Sequence, residues 1–179
     1  MSCCDHAPRG EGFSRRAAMG AIALGGGVSL LTSFSPQRAF AAGHADALLL
    51  NCMDYRLAND ITRYMEQRGL AEQYDQLILA GASLGALNDK YPAWTEVFWA
   101  HLDLAIQLHQ IHRLIVIDHR DCGAYKLLLG EAAVKDPDTE LKSHVKQLYA
   151  LRSVVLTRYP HLDIELGLMS LDGSVIPIV

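Results

Sequence analysis

Two short stretches of this chain carry side chains that bind metals and move protons. Cys52-Met53-Asp54-Tyr55-Arg56 sets a thiol, a carboxylate and a guanidinium on alternate residues, and His119-Arg120-Asp121-Cys122 sets an imidazole and a thiol on one short segment. Alternate residues of an extended segment share a face, so Cys52, Asp54 and Arg56 are expected to point the same way. Two thiolates and one imidazole suit zinc, which favours tetrahedral sulfur and nitrogen donors. Three protein ligands leave a fourth position for water, the pattern of a catalytic site rather than a structural one. Asp54 can then ligate the metal itself, or pair with Arg56 and accept a proton from water at the metal. As a plain surface ion pair it would count for little.

The elements that must position these residues follow from the apolar pattern. Cys52 comes after Ala47-Leu48-Leu49-Leu50-Asn51, a short apolar run that reads as a buried strand. Leu57, Ile61, Tyr64, Met65 and Arg68 fall at helical spacing, and Gly69 stops that helix. Residues 76–80 read as a second buried strand, ending in the turn Gly81-Ala82-Ser83-Leu84-Gly85. Pro92 opens a long helix with its stripe at Trp94, Val97, Phe98, His101, Leu102, Ala105 and Ile106. Leu114-Ile115-Val116-Ile117 is the most apolar strand, and residues 118–123 follow it. A helix from about Asp138, read as its N-cap, carries Leu141, Val145, Leu148 and Val155 to a stop at Pro160. Residues 164–169 form a last strand before an Asp172-Gly173 turn. Strands alternating with helices predict a mainly parallel sheet flanked by helices on both faces. Ligands of such sheets gather beyond the carboxyl ends of the strands, where Cys52 and the His119 segment both stand.

The first 41 residues read as a separate segment. Ser14-Arg15-Arg16 precedes an uncharged, mildly apolar stretch over residues 17–34, and Ala39-Phe40-Ala41 is a small-x-small cleavage site. Adjacent arginines before such a stretch predict a twin-arginine export signal, with a periplasmic zinc domain over residues 42–179. An uncleaved anchor is the other reading, because the stretch is almost long enough to span a bilayer. Cleavage would remove the Cys3-Cys4-Asp5-His6 tract and leave Cys52 and Cys122, too few for a disulfide framework. Two other states of that pair stay open beside zinc: inert buried thiols, or a disulfide formed after export. The formal charge of −4 becomes more negative once the four arginines and two acids of the leader go. No basic run follows, which argues against nucleic acid as a partner.

Taken together, Cys-x-Asp-x-Arg and His-x-x-Cys-Gly, each after a parallel strand, resemble the β-class carbonic anhydrases. The likeness runs from about Leu48 to Val179 and includes the closing Leu171-Asp172-Gly173-Ser174-Val175, which is similar to that family's last hairpin. The resemblance implies Cys52, His119 and Cys122 as ligands of one zinc per chain, Asp54 and Arg56 as a gating dyad, and the Gly123 backbone near substrate. It also implies an antiparallel edge strand, and a homodimer or larger homo-oligomer with active sites close to the subunit boundary. The chain departs from the family pattern at Tyr55, where serine is usual, and at Asp118, where glycine usually precedes the histidine. Ala80-Gly81-Ala82-Ser83 stands where an Asn-Ala-Gly element is usual, and the helical arm before the first strand is missing. These departures leave the metal site intact and bear on the substrate pocket, which they reshape or recharge, and on dimer contacts.

The expected reaction is the reversible hydration of carbon dioxide to bicarbonate in the periplasm. Hydrolysis of carbonyl sulfide or carbon disulfide needs the same site and stands as the alternative, as does a zinc-binding homologue without activity. Zinc nucleobase deaminases are excluded, since they need His-x-Glu and Pro-Cys-x-x-Cys. His101, His109 and His112 are expected at the edge of the core rather than in a second metal site. The 81–85 turn is either an anion cradle or a plain strand-to-helix turn.

Overall fold

The run Ala47–Asn51 forms β1 and is buried along its whole length, as a strand must be when helices cover both faces of its sheet. The computed structural model describes residues 43–179, and the export-signal reading of residues 1–41 lies outside them. A 3-10 turn (Tyr55–Leu57) leads into α1 (Ala58–Gln67), then β2 (Tyr74–Ile78), α2 (Ser83–Ala86) and α3 (Pro92–His109). β3 (Arg113–His119), α4 (Gly123–Leu129), a second 3-10 turn (Glu131–Val134) and α5 (Pro137–Arg158) follow, and β4 (Asp163–Met169) and β5 (Val175–Ile178) close the chain. The sheet runs β2-β1-β3-β4-β5. Its first four strands are parallel and β5 is antiparallel at the edge, the mixed sheet that the sequence implied.

Alternate residues of the central strands serve two cores. Leu48, Leu50, Leu114 and Val116 pack with Phe98 and Leu102 of α3 and Leu148, Leu151 and Val155 of α5. Ala47, Leu49, Ile115 and Ile117 pack with Ile61 and Met65 of α1. Full burial of each large aliphatic side chain stabilises by about 1.5–3 kcal/mol. This sandwiched sheet fixes where β1 and β3 end, and so where Cys52 and His119 stand.

Several elements differ from their expected bounds for identifiable reasons. β2 lies two residues earlier than 76–80 and is not fully buried: as the sheet edge it exposes Gln76 and Ile78 and turns only Leu77 inward. The Leu79 amide still donates to the Asn51 carbonyl (3.0 Å), which carries the extended path past the strand. α3 opens at Pro92 as expected, yet Val97 and His101 of its stripe face solvent. β3 runs through His119, so Asp118 and His119 belong to the strand itself. α4 was not anticipated. α5 is capped by Asp136, not Asp138: the Asp136 Oδ1 accepts from the Asp138 amide (3.1 Å) and the Thr139 amide (2.9 Å), with Pro137 at the first helical position. Its buried stripe is Glu140, His144, Leu148, Leu151 and Val155, while Leu141 and Val145 are half-buried. Among the described residues no helix is long and apolar enough to cross a membrane.

Candidate metal centre

The ends of β1 and β3 lie side by side, since Asn51 is in register with Ile117. That pairing brings together three residues far apart in sequence. The donor atoms of Cys52, His119 and Cys122 all lie within 4.8 Å of one another, and they are the only such group among the described residues. The two Sγ atoms are 3.9 Å apart, nearly twice the disulfide bond length of about 2.05 Å, so both cysteines are free thiols. Two thiolates on one tetrahedral zinc, each at about 2.3 Å, would stand roughly 3.8 Å apart.

The histidine is oriented for the same role. Its Nδ1 pairs with the Arg120 carbonyl (2.8 Å), which requires the proton on that nitrogen. Nε2 is then left with a lone pair, and it is a buried atom without a hydrogen-bond partner. A metal-binding histidine commonly shows this arrangement. The Cys52 thiol is biased towards binding as well. The Cys122 thiol, hydrogen-bonded to Cys52, draws the Cys52 thiol down to about 4 against its burial, with His119 and the Gly81 amide (3.3 Å from Sγ) helping. The same contact and burial push Cys122 up. Burial pulls His119 down, but the negative charge of Cys52 beside it outweighs that and raises it. Soft donors, an orphaned imidazole nitrogen and the sulfur spacing all fit zinc.

Asp54 and Arg56 meet, though not on the extended face that the alternate spacing implied: Asp54 caps the Tyr55–Leu57 3-10 turn that carries Arg56. The Arg56 Nε and Nη2 donate to the two oxygens of Asp54 (3.0 and 2.8 Å), and the Arg56 amide adds a third bond to Oδ1 (3.0 Å). This fork holds the Asp54 carboxyl down at about 2. Its Oδ2 lies 3.9 Å from His119 Nε2, beside the three donors. A further partner was not anticipated. Asp121 anchors the other side of the guanidinium, accepting from Nη1 at its carboxylate (2.7 Å) and from Nη2 at its carbonyl (3.0 Å). Asp121 adopts φ 56° to do so, a left-handed conformation that aspartate tolerates better than most residues. Its place inside the His-x-x-Cys segment was the available signal.

Beneath the donors lies a polar cluster that sequence reasoning missed. Asp118, where the family pattern has glycine, is buried and lies outside the pocket, so it does not recharge it as expected. Its carboxylate accepts from the Ser83 amide (3.0 Å), the Ser83 hydroxyl (2.7 Å), the Tyr125 hydroxyl (2.6 Å) and His144 Nδ1 (3.0 Å). Burial, with Asp118 beside it, keeps the Tyr125 phenol well above its ordinary value. The cluster ties α2, α4 and α5 to the strand that carries His119. The 81–85 turn is a packing device. The Gly81 amide is directed at Cys52 Sγ, and a Cβ at Gly85 would come 2.5 Å from the Ala80 carbonyl oxygen, closer than real contacts allow.

An apolar cavity of about 450 Å³ opens beside the donors, lined by Met53, Asp54, Tyr55, Trp94, Gly123 and Leu128 among others. Tyr55 is 86% exposed at its mouth, with Met53 and Leu127 also open to solvent. Gly123 has open space around its Cα. Of His101, His109 and His112, the last lies beyond the end of α3, and His109 is half-buried and pairs with Asp75 (2.7 Å). His101 and His112 are exposed rather than at the core edge.

Parallel sheet, antiparallel edge strand and a Cys-His-Cys cluster at the strand ends define a carbonic anhydrase-like protein. The chain belongs to the family described as "Putative carbonic anhydrase", whose model matches residues 42–167, and its fold is that of the β-carbonic anhydrases. It is 36% identical over 131 residues to an uncharacterised protein of Rickettsia conorii, covering 73% of this chain and 70% of that one. A second uncharacterised protein, from Rickettsia bellii, is 35% identical over 73% of this chain and 80% of its own. Among solved structures it is similar to a carbonic anhydrase from Glaciozyma antarctica (TM-score 0.51, 19% identity, 83% of this chain and 90% of that one). It is also similar to a β-carbonic anhydrase from Trichomonas vaginalis (TM-score 0.52, 17% identity, 78% and 85%). At these identities the likeness is one of fold.

Proposed function

We propose that the protein catalyses the reversible hydration of carbon dioxide to bicarbonate, with one zinc held by Cys52, His119 and Cys122. The observation that carries this reading is the Asp54 carboxylate, forked by Arg56 and standing 3.9 Å from His119 Nε2. A purely structural metal would need no carboxylate held ionised at its open side. Zinc bound there supplies a Lewis acid that lowers the pKa of water to about 7. Asp54 Oδ2 accepts a hydrogen bond from the attacking water and turns its lone pair towards the cavity. Arg56 keeps that carboxylate charged and aimed. The apolar walls from Met53, Trp94 and Leu128 suit an uncharged, linear substrate, and the Gly123 backbone lines its approach.

The exposed Met53, Tyr55 and Leu127 at the mouth are apolar surface that a second copy would cover, which supports a homodimer at this face. Stopped-flow hydration by the zinc-loaded mature protein is the deciding measurement. Turnover above the buffer rate, rising with pH through about 7, is expected. Carbonyl sulfide and carbon disulfide are tested alongside. Full zinc occupancy with turnover of the sulfur compounds alone would replace the substrate, and silence on all three would leave a binding protein without activity.

Periplasmic export belongs to the same proposal and rests on Arg15-Arg16 and the Ala39-Phe40-Ala41 site. Changing both arginines to lysine is expected to hold a full-length precursor in the cytoplasm, whereas wild-type periplasmic protein should begin at or near Ala42. Unchanged fractionation of the double variant would remove this part of the proposal.

A further inference from the structure

Glu140 has no place in the reaction described above, yet it is a nearly buried carboxylate, 8% exposed, on the first turn of α5. Its Oε1 accepts from the Asp121 amide (2.6 Å) and its Oε2 from Arg120 Nη1 (3.2 Å). The Asp121 amide belongs to the peptide group joining Arg120 and Asp121. The carbonyl of that same peptide is the Arg120 oxygen that accepts from His119 Nδ1 (2.8 Å). One rigid, planar unit therefore links the imidazole on one side to a carboxylate on the other.

We infer that Glu140 is a positioning residue for the metal site, acting on His119 through the Arg120–Asp121 peptide. Histidine ligands usually donate their second nitrogen to a carboxylate or a carbonyl, which fixes the ring and raises its basicity. Here the carbonyl receives the proton and the carboxylate stands behind it. A negative oxygen at the peptide N–H draws that hydrogen and leaves more electron density on the carbonyl oxygen, so the His119 bond strengthens. The clamp also sets the second half of the site. Asp121 holds φ 56°, and the bond from its amide to Glu140 keeps the residue turned so that its carbonyl and carboxylate reach Arg56. Arg120 completes the lock, since its Nη1 also donates to the Pro137 carbonyl (2.6 Å) at the start of α5. The helix start is itself rigid, capped by Asp136.

The inference rests on zinc being held by Cys52, His119 and Cys122. A merely structural Glu140 would only satisfy a buried amide, and glutamine can do that equally well. Two variants therefore separate the accounts, Glu140→Ala and Glu140→Gln, each measured for zinc affinity by chelator competition. Loss of an outer partner of a metal ligand typically weakens affinity about 10–100-fold. Glu140→Ala is expected in that range, with Glu140→Gln between it and wild type. In zinc-loaded, nitrogen-15 histidine-labelled protein, the His119 Nδ1 proton resonance should move upfield in Glu140→Gln. If Glu140→Ala does not fold, Glu140→Gln alone decides. Zinc affinity in Glu140→Gln within twofold of wild type, or an unmoved His119 resonance, overturns the inference while leaving the zinc reading standing. Wild-type protein that binds no zinc overturns both.

Discussion

Replacing Cys52 by alanine is expected to strip the protein of zinc and abolish carbon dioxide hydration. The three donors converge within 4.8 Å, and no other cysteine or histidine joins them among the described residues. Zinc sites of four ligands bind with roughly 10–16 kcal/mol, so one ligand is worth about 3–4 kcal/mol. That is some two to three orders of magnitude in affinity. Metal content after dialysis against a weak chelator measures it directly. Because zinc binds the folded chain, it also stabilises it. Chelation should therefore lower the melting temperature of wild type and leave that of Cys52→Ala unchanged. Full zinc in Cys52→Ala would mean that the ligand set is wrong.

Arg56→Ala is expected to separate catalysis from metal binding. Hydration should fall about 100-fold or more, the scale of a misplaced orienting group, while zinc content stays near one per chain. Without the fork, Asp54 is free to turn towards the donors and take the open position, which X-ray absorption would register as an added oxygen ligand. An Arg56→Ala protein with wild-type turnover would remove the dyad from the mechanism. The ion pair also has a signature in acid. Arg56 holds Asp54 at about 2 in the folded chain, against roughly 3.9 unfolded. A depressed carboxyl contributes stability that is fully present above about pH 4 and is lost as pH falls towards 2. Wild type and Arg56→Ala should thus differ most near neutral pH and converge in strong acid. Chemical denaturation across that range reads it out.

The metal donors were legible because parallel strands buried on both faces read as unbroken apolar runs, and each cysteine or histidine stood at the end of one. In β1 and β3 the aliphatic residues follow one another without a break, so both strands could be placed, although β3 runs two residues past its apolar run, through His119. β2 misled for the same reason: Leu77-Ile78-Leu79 looks continuous, but at the sheet edge Ile78 faces outward. What stayed hidden was the polar machinery around the donors. Asp118, Ser83, Tyr125 and His144 join across intervals of 7 to 42 residues, and no local spacing announces such bonds. For α5 a signal existed. Glu140, His144, Leu148, Leu151 and Val155 follow a helical stripe, yet Leu141 and Val145 draw an apolar reading one position round the helix. Polar residues in phase with a core stripe were the mark of the buried partners. α4 carries three consecutive leucines between two glycines, and seven residues leave too little length for a periodic signal.

The Asp118 cluster also constrains the order in which such a site could have arisen. Glycine at this position in the usual family pattern asks for nothing from its neighbours. Aspartate there, without hydroxyls and an imidazole to meet it, would be a buried carboxylate with unmet bonds. Each missing partner would cost about 1–3 kcal/mol. Reversion to glycine now would leave the Ser83 amide and His144 Nδ1 without their acceptor. The Ser83 and Tyr125 hydroxyls lie 3.0 Å apart and can satisfy one another, so that pair is a viable ancestor on its own. A carboxylate entering there would meet three donors already in place, the two hydroxyls and the Ser83 amide, and once the imidazole has joined them it closes the path back.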